Sequence, residues 1–166
     1  MVDWAGLARE IAVGPGEDGG HGVARRAIAL LLGEAALRDA VDYHLAGGPG
    51  AEHARSVLWL LQPEAEAARS RCLEIYHTAP EHGRRVSAVD LLRVVATAAD
   101  LPRVVEFLMD SDPGVQLSGV GMLDQLLFAG CVDAVAAEPY LRMAERHPNA
   151  QVRDKAAAIR EFLIEP

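Results

Sequence analysis

The groups in this chain that could carry chemistry are six histidines, two cysteines and a few closely spaced carboxylates and serines. A zinc site needs His or Cys converging from one helix face or from a compact C-x-x-C turn. Cys72, His77 and His82 are each five residues apart, which spreads them around a helix and across the turn at Pro80. His44 and His53 flank the loop Gly47 to Gly50. Such histidines read as surface or helix-end residues, and Cys72 and Cys131 read as small apolar packing residues. Ser56, Ser87 and Ser118 recur every 31 residues amid helical apolar spacing, with no nucleophile elbow around them. Hydroxyls so placed bond back to the preceding turn. Asp110 and Asp112 fall in a turn, where Asp caps the helix that follows. Gly14-Pro15-Gly16-Glu17-Asp18-Gly19 formally satisfies G-x-G-x-x-G, but no strand precedes it and its two acids would repel a phosphate. It reads as an interhelical loop. The expectation is a chain with no catalytic residues, no metal and no cofactor.

The elements that would position these residues are helices. Hydrophobic residues make up 51 % of the 166 and charged ones 24 %, while aromatics are only 5 %. Ala and Leu dominate the apolar fraction and favour helices, whereas strands prefer β-branched and aromatic residues. Pro and Gly punctuate the chain at Gly14 to Gly22, Gly33, Gly47 to Gly50, Pro63, Pro80, Asp100 to Pro102, Asp112 to Gly114, Gly130 and Pro148. Pro tolerates only the first turn of a helix, so the intervening pieces read as short helices joined by tight turns. Pro139 lies inside an apolar stretch and is expected to mark a helix start or a kink. A chain of this size buries roughly 70 % of its unfolded surface and needs no staple. One domain over 1–166 is expected, with 1–22 as a capping helix and a glycine-rich loop. Asp3 to Val13 is either that cap or half of a degenerate repeat.

A repeat organises the helices. From Val23, His53, Arg84, Val115 and Val152, which lie 30, 31, 31 and 37 residues apart, the fourth residue onward is small or short: Ala27, Val57, Ala88, Gly119, Ala156. The seventh is Leu30, Leu60, Leu91, Met122 and Ile159, and the eighth is Leu31, Leu61, Leu92, Leu123 and then Arg160. Positions 0, 4, 7, 8 and 11 share one helical face. A small residue at position 4 lets a neighbouring helix approach closely. Each such helix is followed by another, as in Glu34 to Leu45, Glu64 to His77, Leu101 to Ser111 and Cys131 to His147. The unit is a helical hairpin, which must stack to bury its apolar face.

Leu101 to Leu123 reads as an apolar first helix, an Asp-rich turn, then Val115-Gln116 opening a second helix with Gly119 three places on. His147 to Ile159 has the same turn and second helix, with Val152-Arg153 and Ala156. Both segments resemble a HEAT repeat of the short bacterial type, with Gln116 standing where that pattern has Arg. The resemblance is clearest over 99–164. It implies an all-α, α-α superhelix of about four to five hairpins, and members of that class mostly bind proteins. The same scaffold occurs in bilin-chromophore lyases and alkylpurine DNA glycosylases, so an enzyme or cofactor chaperone is the alternative class.

Net charge is −8, and −6 of it falls in 99–145, where eight acids face only Arg103 and Arg142. Acidic surface repels nucleic acid and attracts basic partners. With positions 0, 4, 7, 8 and 11 buried, positions 2, 6 and 9 point away. They offer Arg55, Trp59, Asp90, Arg93 and Asp124 as a mixed polar and aromatic strip along the second helices. Trp and Arg are common interface anchors. The N-terminus Met1-Val2-Asp3-Trp4 lacks the basic flank and apolar core of a signal peptide. No apolar run nears the roughly 18 residues of a membrane span. Arg outnumbers Lys 15 to 1, which reads as GC-rich, bacterial codon usage. The expectation is a cytoplasmic, non-catalytic scaffold or adaptor, with an inhibitor or immunity-type protein for a basic partner as one form of that role.

Overall fold

The computed structural model of the chain describes residues 19–164. The expected cap, Asp3 to Val13, and the expected glycine-rich loop as far as Asp18 lie outside the described residues, and Gly19 to Gly22 are helical. Among those described there are eight α-helices and no strand: α1 Gly19–Ala46, α2 Ala51–Leu60, α3 Glu66–Thr78, α4 His82–Val95, α5 Arg103–Leu108, α6 Pro113–Phe128, α7 Ala134–Glu145 and α8 Ala150–Ile164. Short 3-10 turns at Gln62–Glu64 and Ala98–Asp100 join α2 to α3 and α4 to α5.

Local chemistry sets the boundaries. Gly33, at φ 74°, breaks α1 into two helical halves, because only glycine enters that region without strain. Asp112 caps α6 by accepting from the Gly114 N–H at 2.8 Å, with Pro113 behind it, and Asp110 in turn accepts from the Asp112 N–H. Burial pushes the Asp112 carboxyl upward, but bonds from the Gly114 and Val115 N–H groups and from His82 leave it below its usual value. Asp133 caps α7 through the Ala136 N–H. Thr97 and Asp100 form a reciprocal capping box on the 3-10 turn that leads into α5, and that helix, Arg103–Leu108, is shorter than the expected Leu101 to Ser111. Pro139 neither starts nor ends a helix. It sits inside α7 on an exposed stretch, where the carbonyl its missing N–H leaves unpaired can reach water.

Helices adjacent in sequence pack as pairs: α1 with α2, α3 with α4, α5 with α6, α7 with α8. The second members also pack in series, α2 on α4, α4 on α6 and α6 on α8, and among the first members α1 meets α3 and α5 meets α7. The core runs along these seams through Leu91, Leu92, Phe107, Met122, Leu123, Leu126, Leu141 and Ile159, all buried. The sequence register holds in the last three copies. Ala88, Leu91, Leu92 and Val95 of α4, Val115, Gly119, Met122, Leu123 and Leu126 of α6, and Val152, Ala156 and Ile159 of α8 are buried. It does not hold in the first two. Val23, Leu30 and Leu31 are exposed, as are Val57 and Leu60; of the second copy Leu61 is buried as expected, but α2 itself turns Ala51 and Leu58 inward.

Gly119 shows why position 4 is small. A Cβ there would stand 2.7 Å from the Cβ of Phe107, so α5 and α6 meet with nothing between them. His147 is buried at the α7–α8 turn. Its Nε2 donates to the Leu108 carbonyl at 2.8 Å while Nδ1 accepts from the Asn149 N–H at 3.1 Å, which fixes the tautomer and ties the last two pairs together. Gly119→Ala should cost about 1–3 kcal/mol by overpacking, despite the helix propensity gained. Gly83→Ala, in open space on α4, should be neutral or stabilise by a fraction of about 1 kcal/mol. Chemical denaturation of the two variants checks the contrast.

Candidate functional site

The five residues of the expected strip fall on three successive second helices. Arg55 and Trp59 are on α2, Asp90 and Arg93 on α4, and Asp124 on α6. Arg93 pairs with Asp90 at 3.1 Å, and its guanidinium lies over Gly121, where a Cβ would come within 2.9 Å of it. Glycine at 121 thus lets an α4 side chain lie flat across α6. Asp124 is held by Lys155 of α8, which extends the strip to a fourth helix. Arg55 sits 3.9 Å from Glu52 on its own helix. These pairs are partly exposed, so each contributes at most about 1 kcal/mol.

Trp59 is the strip residue with the most apolar area to offer, at 56 % exposed. It stands at the rim of a groove of about 740 Å³ formed by the ends of α2, α4 and α6. Leu60, at 62 % exposed, and Phe128, at 73 %, line the same groove. A smaller hollow of about 250 Å³ adjoins it between Arg55, Trp59, Val94, Gln125 and Phe128. Monomers seldom leave aromatic side chains clustered in the open. Phe128 was not singled out from the sequence, although the register contains it. Positions 2, 6 and 9 continue at 13 on the same helical face, and position 13 is Thr97 in the third copy and Phe128 in the fourth. Both line the groove.

Polar side chains stiffen the groove floor. Gln62 donates to the Ala96 carbonyl and lies 3.7 Å from the Cys131 sulfur. Arg69 donates to the carbonyls of Gln62 at 2.9 Å and Val95 at 3.3 Å, with Asp100 3.9 Å from its Nε. A cation at the last carbonyls of α4 is favoured by the helix dipole and satisfies a carbonyl the helix leaves unpaired. The walls are therefore fixed relative to one another before anything binds.

The acidic stretch looks different in three dimensions. Every one of its eight carboxylates has a partner within the chain. Asp100 accepts from the Thr97 N–H, and Asp110 accepts from the Tyr76 hydroxyl at 2.8 Å with Arg85 3.8 Å away. Glu106 faces His77 and Arg103, and Asp112 and Asp133 cap helices. Asp124 holds Lys155, and Glu138 and Glu145 share Arg160. Arg160, followed by Arg142, holds the Glu138 carboxyl below the usual range. Ser56 bonds back to the Glu52 carbonyl at 2.9 Å. Among the described residues no group of three or more His, Cys, Asp or Glu could hold a metal ion. No described helix is long and apolar enough to cross a membrane.

The fold and the groove define an all-α protein with an exposed aromatic cleft at the meeting of three helix ends. Compared with family models, curated proteins and solved structures, the chain matches none.

The two thiols differ in a way that reports on the groove. Burial pushes the Cys72 thiol up to about 12, and Cys131, half-buried at the groove edge, is also raised by burial. Only thiolates react readily. A disulfide reagent at mildly alkaline pH should modify Cys131 slowly in the native chain and Cys72 only after denaturation. Equal native rates for the two would contradict this placement.

Proposed function

We propose that the chain is a protein-interaction scaffold of HEAT-like helical repeats that grips its partner along the second helices, with the Trp59–Phe128 groove as the apolar anchor site. The observation that carries this reading is the exposed aromatic pair on a floor stiffened by Gln62 and Arg69. A preformed cleft that receives a buried anchor loses little entropy on binding. Polar residues of the strip beside it supply register and specificity, not bulk affinity. Within this class we favour an inhibitor or immunity-type role towards a basic partner, which the net charge of −8 supports. Asp90 and Asp124 already hold Arg93 and Lys155. A partner's cations would exchange with these, so the ionic contribution would be small and salt-sensitive.

Affinity capture with the full chain, followed by titration of the retained protein, tests the proposal. The double variant Trp59→Ala, Phe128→Ala should weaken binding by about 2 kcal/mol or more, the scale of an interface hot spot, which is on the order of thirtyfold. Met109→Ala, an exposed apolar residue after α5, should leave the affinity unchanged. Unchanged binding by a double variant with native circular dichroism would place the working surface elsewhere.

A further inference from the structure

One face of α7 carries apolar and cationic side chains that nothing among the described residues covers. Ala137, Leu141 and Ala144 form its buried face. Val135, Pro139, Arg142, Met143 and Arg146 recur at i, i+4, i+7, i+8 and i+11, which gathers them on the opposite side, and all five are exposed. The neighbouring first helix, α5, has six residues against twelve in α7, so it flanks only part of that helix. Beyond its end Met109, at 76 % exposed, joins Pro139, Arg142, Met143 and Arg146 in lining a groove of about 690 Å³. Hydrogen bonds tie its two sides together. His147 donates to the Leu108 carbonyl at 2.8 Å, and Gln116 donates to the Asp110 carbonyl at 2.7 Å while accepting from Asn149 at 3.0 Å. The groove is thus set before a ligand arrives, which lowers the entropic cost of filling it.

Charge decides what fits there. Among the described residues Arg146 has no ion-pair partner. Glu138 engages Arg142 through its Nε, which leaves the terminal nitrogens for another acceptor. The one carboxylate lining the groove, Asp110, is already taken by the Tyr76 hydroxyl, the Asp112 N–H and Arg85. A chain of net charge −8 therefore presents local positive charge beside exposed Met and Pro. We propose that this groove docks an acidic amphipathic peptide segment of a partner protein. An apolar side chain of the segment lies among Met109, Pro139 and Met143, and its carboxylates meet Arg142 and Arg146. Methionine adapts to varied apolar shapes, and the guanidinium fork matches a carboxylate. Arg142 and Arg146 stand one helical turn apart, about 6 Å along the axis, the spacing of acids at i and i+4 on a bound helix. A nucleic acid would meet apolar walls and the repulsion of the whole chain. This face takes a ligand of opposite charge to the basic partner of the Trp59 groove and does not rest on that reading.

The test selects a displayed library of random peptides, each about as long as α7, on the full chain, and titrates the synthesised winners by fluorescence anisotropy. The winners should share an apolar residue flanked by Asp or Glu. Their binding should shift the methyl resonances of Met109 and Met143 and leave that of Met122, buried in α6, in place. Arg146→Glu should weaken binding about tenfold or more through like-charge repulsion, and Arg146→Gln by less. Should Arg146→Glu lose native circular dichroism, Arg146→Gln decides the question alone. The Trp59→Ala, Phe128→Ala variant should bind the winners unchanged, which separates this groove from the aromatic one. A selection that yields no winner with acidic and apolar residues together would overturn the proposal. So would winners whose affinity ignores the loss of the Arg146 charge. Shifts at Met109 and Met143 produced by a single-stranded oligonucleotide, and by no peptide, would overturn it in favour of a nucleic acid.

Discussion

The packing of α4 against α6 is the contact on which the rest of this molecule depends. These two helices carry Ala88, Leu91, Leu92, Val95, Val115, Met122, Leu123 and Leu126, all buried. Each also receives its own pairing helix on one side and a second helix of the next pair on the other. Close approach at this seam requires small residues in fixed places. Gly114 lies against Val86 and Gly121 admits the Arg93 guanidinium, both of α4, while Gly119 admits Phe107 of α5. Burying aliphatic side chains at roughly 25 cal/mol per Å² supplies the stability, while the glycines decide which helix can come close enough to contribute to it.

The groove is a consequence of the same seam. Where α4 ends, the Val95 carbonyl is met by Arg69 of α3 and the Ala96 carbonyl by Gln62 from the turn after α2, and α6 continues two register positions further, to Phe128. That extension brings Phe128 to line one groove with Trp59 of α2. An aromatic cleft thus arises from unequal helix lengths in a regular packing scheme. Moving Phe128 one residue along α6 would rotate it off the groove by about 100°.

Much of this was legible in the sequence, and the reasons are local. Helix type and most of the helix breaks follow from Pro, Gly and capping Asp residues, which act on their immediate neighbours. The buried register of α4, α6 and α8 follows from apolar spacing within each helix. The outward placement of Trp59 could be read because it lies off that spacing. Phe128 is not marked by that spacing, because it lies beyond the last apolar position of its copy. The register failed for Val23, Leu31 and Leu60 because burial needs a covering element as well as a spacing. Charge was the least legible property. A count over 99–145 cannot know that Arg69, Arg85, Lys155 and Arg160, far away in sequence, come to rest against those carboxylates.

The measurement that bears most directly on the central role of the α4–α6 seam is native-state amide hydrogen exchange on the full chain, resolved by peptide. Amides in contiguous cooperative units open with the free energy of the packing that holds them. Exchange should be slowest in α4 and α6, intermediate in α3 and α8, and fastest among the described helices in the first half of α1 before Gly33. Protection that peaks in α1, or is uniform from α1 to α8, would contradict a structure organised around that seam.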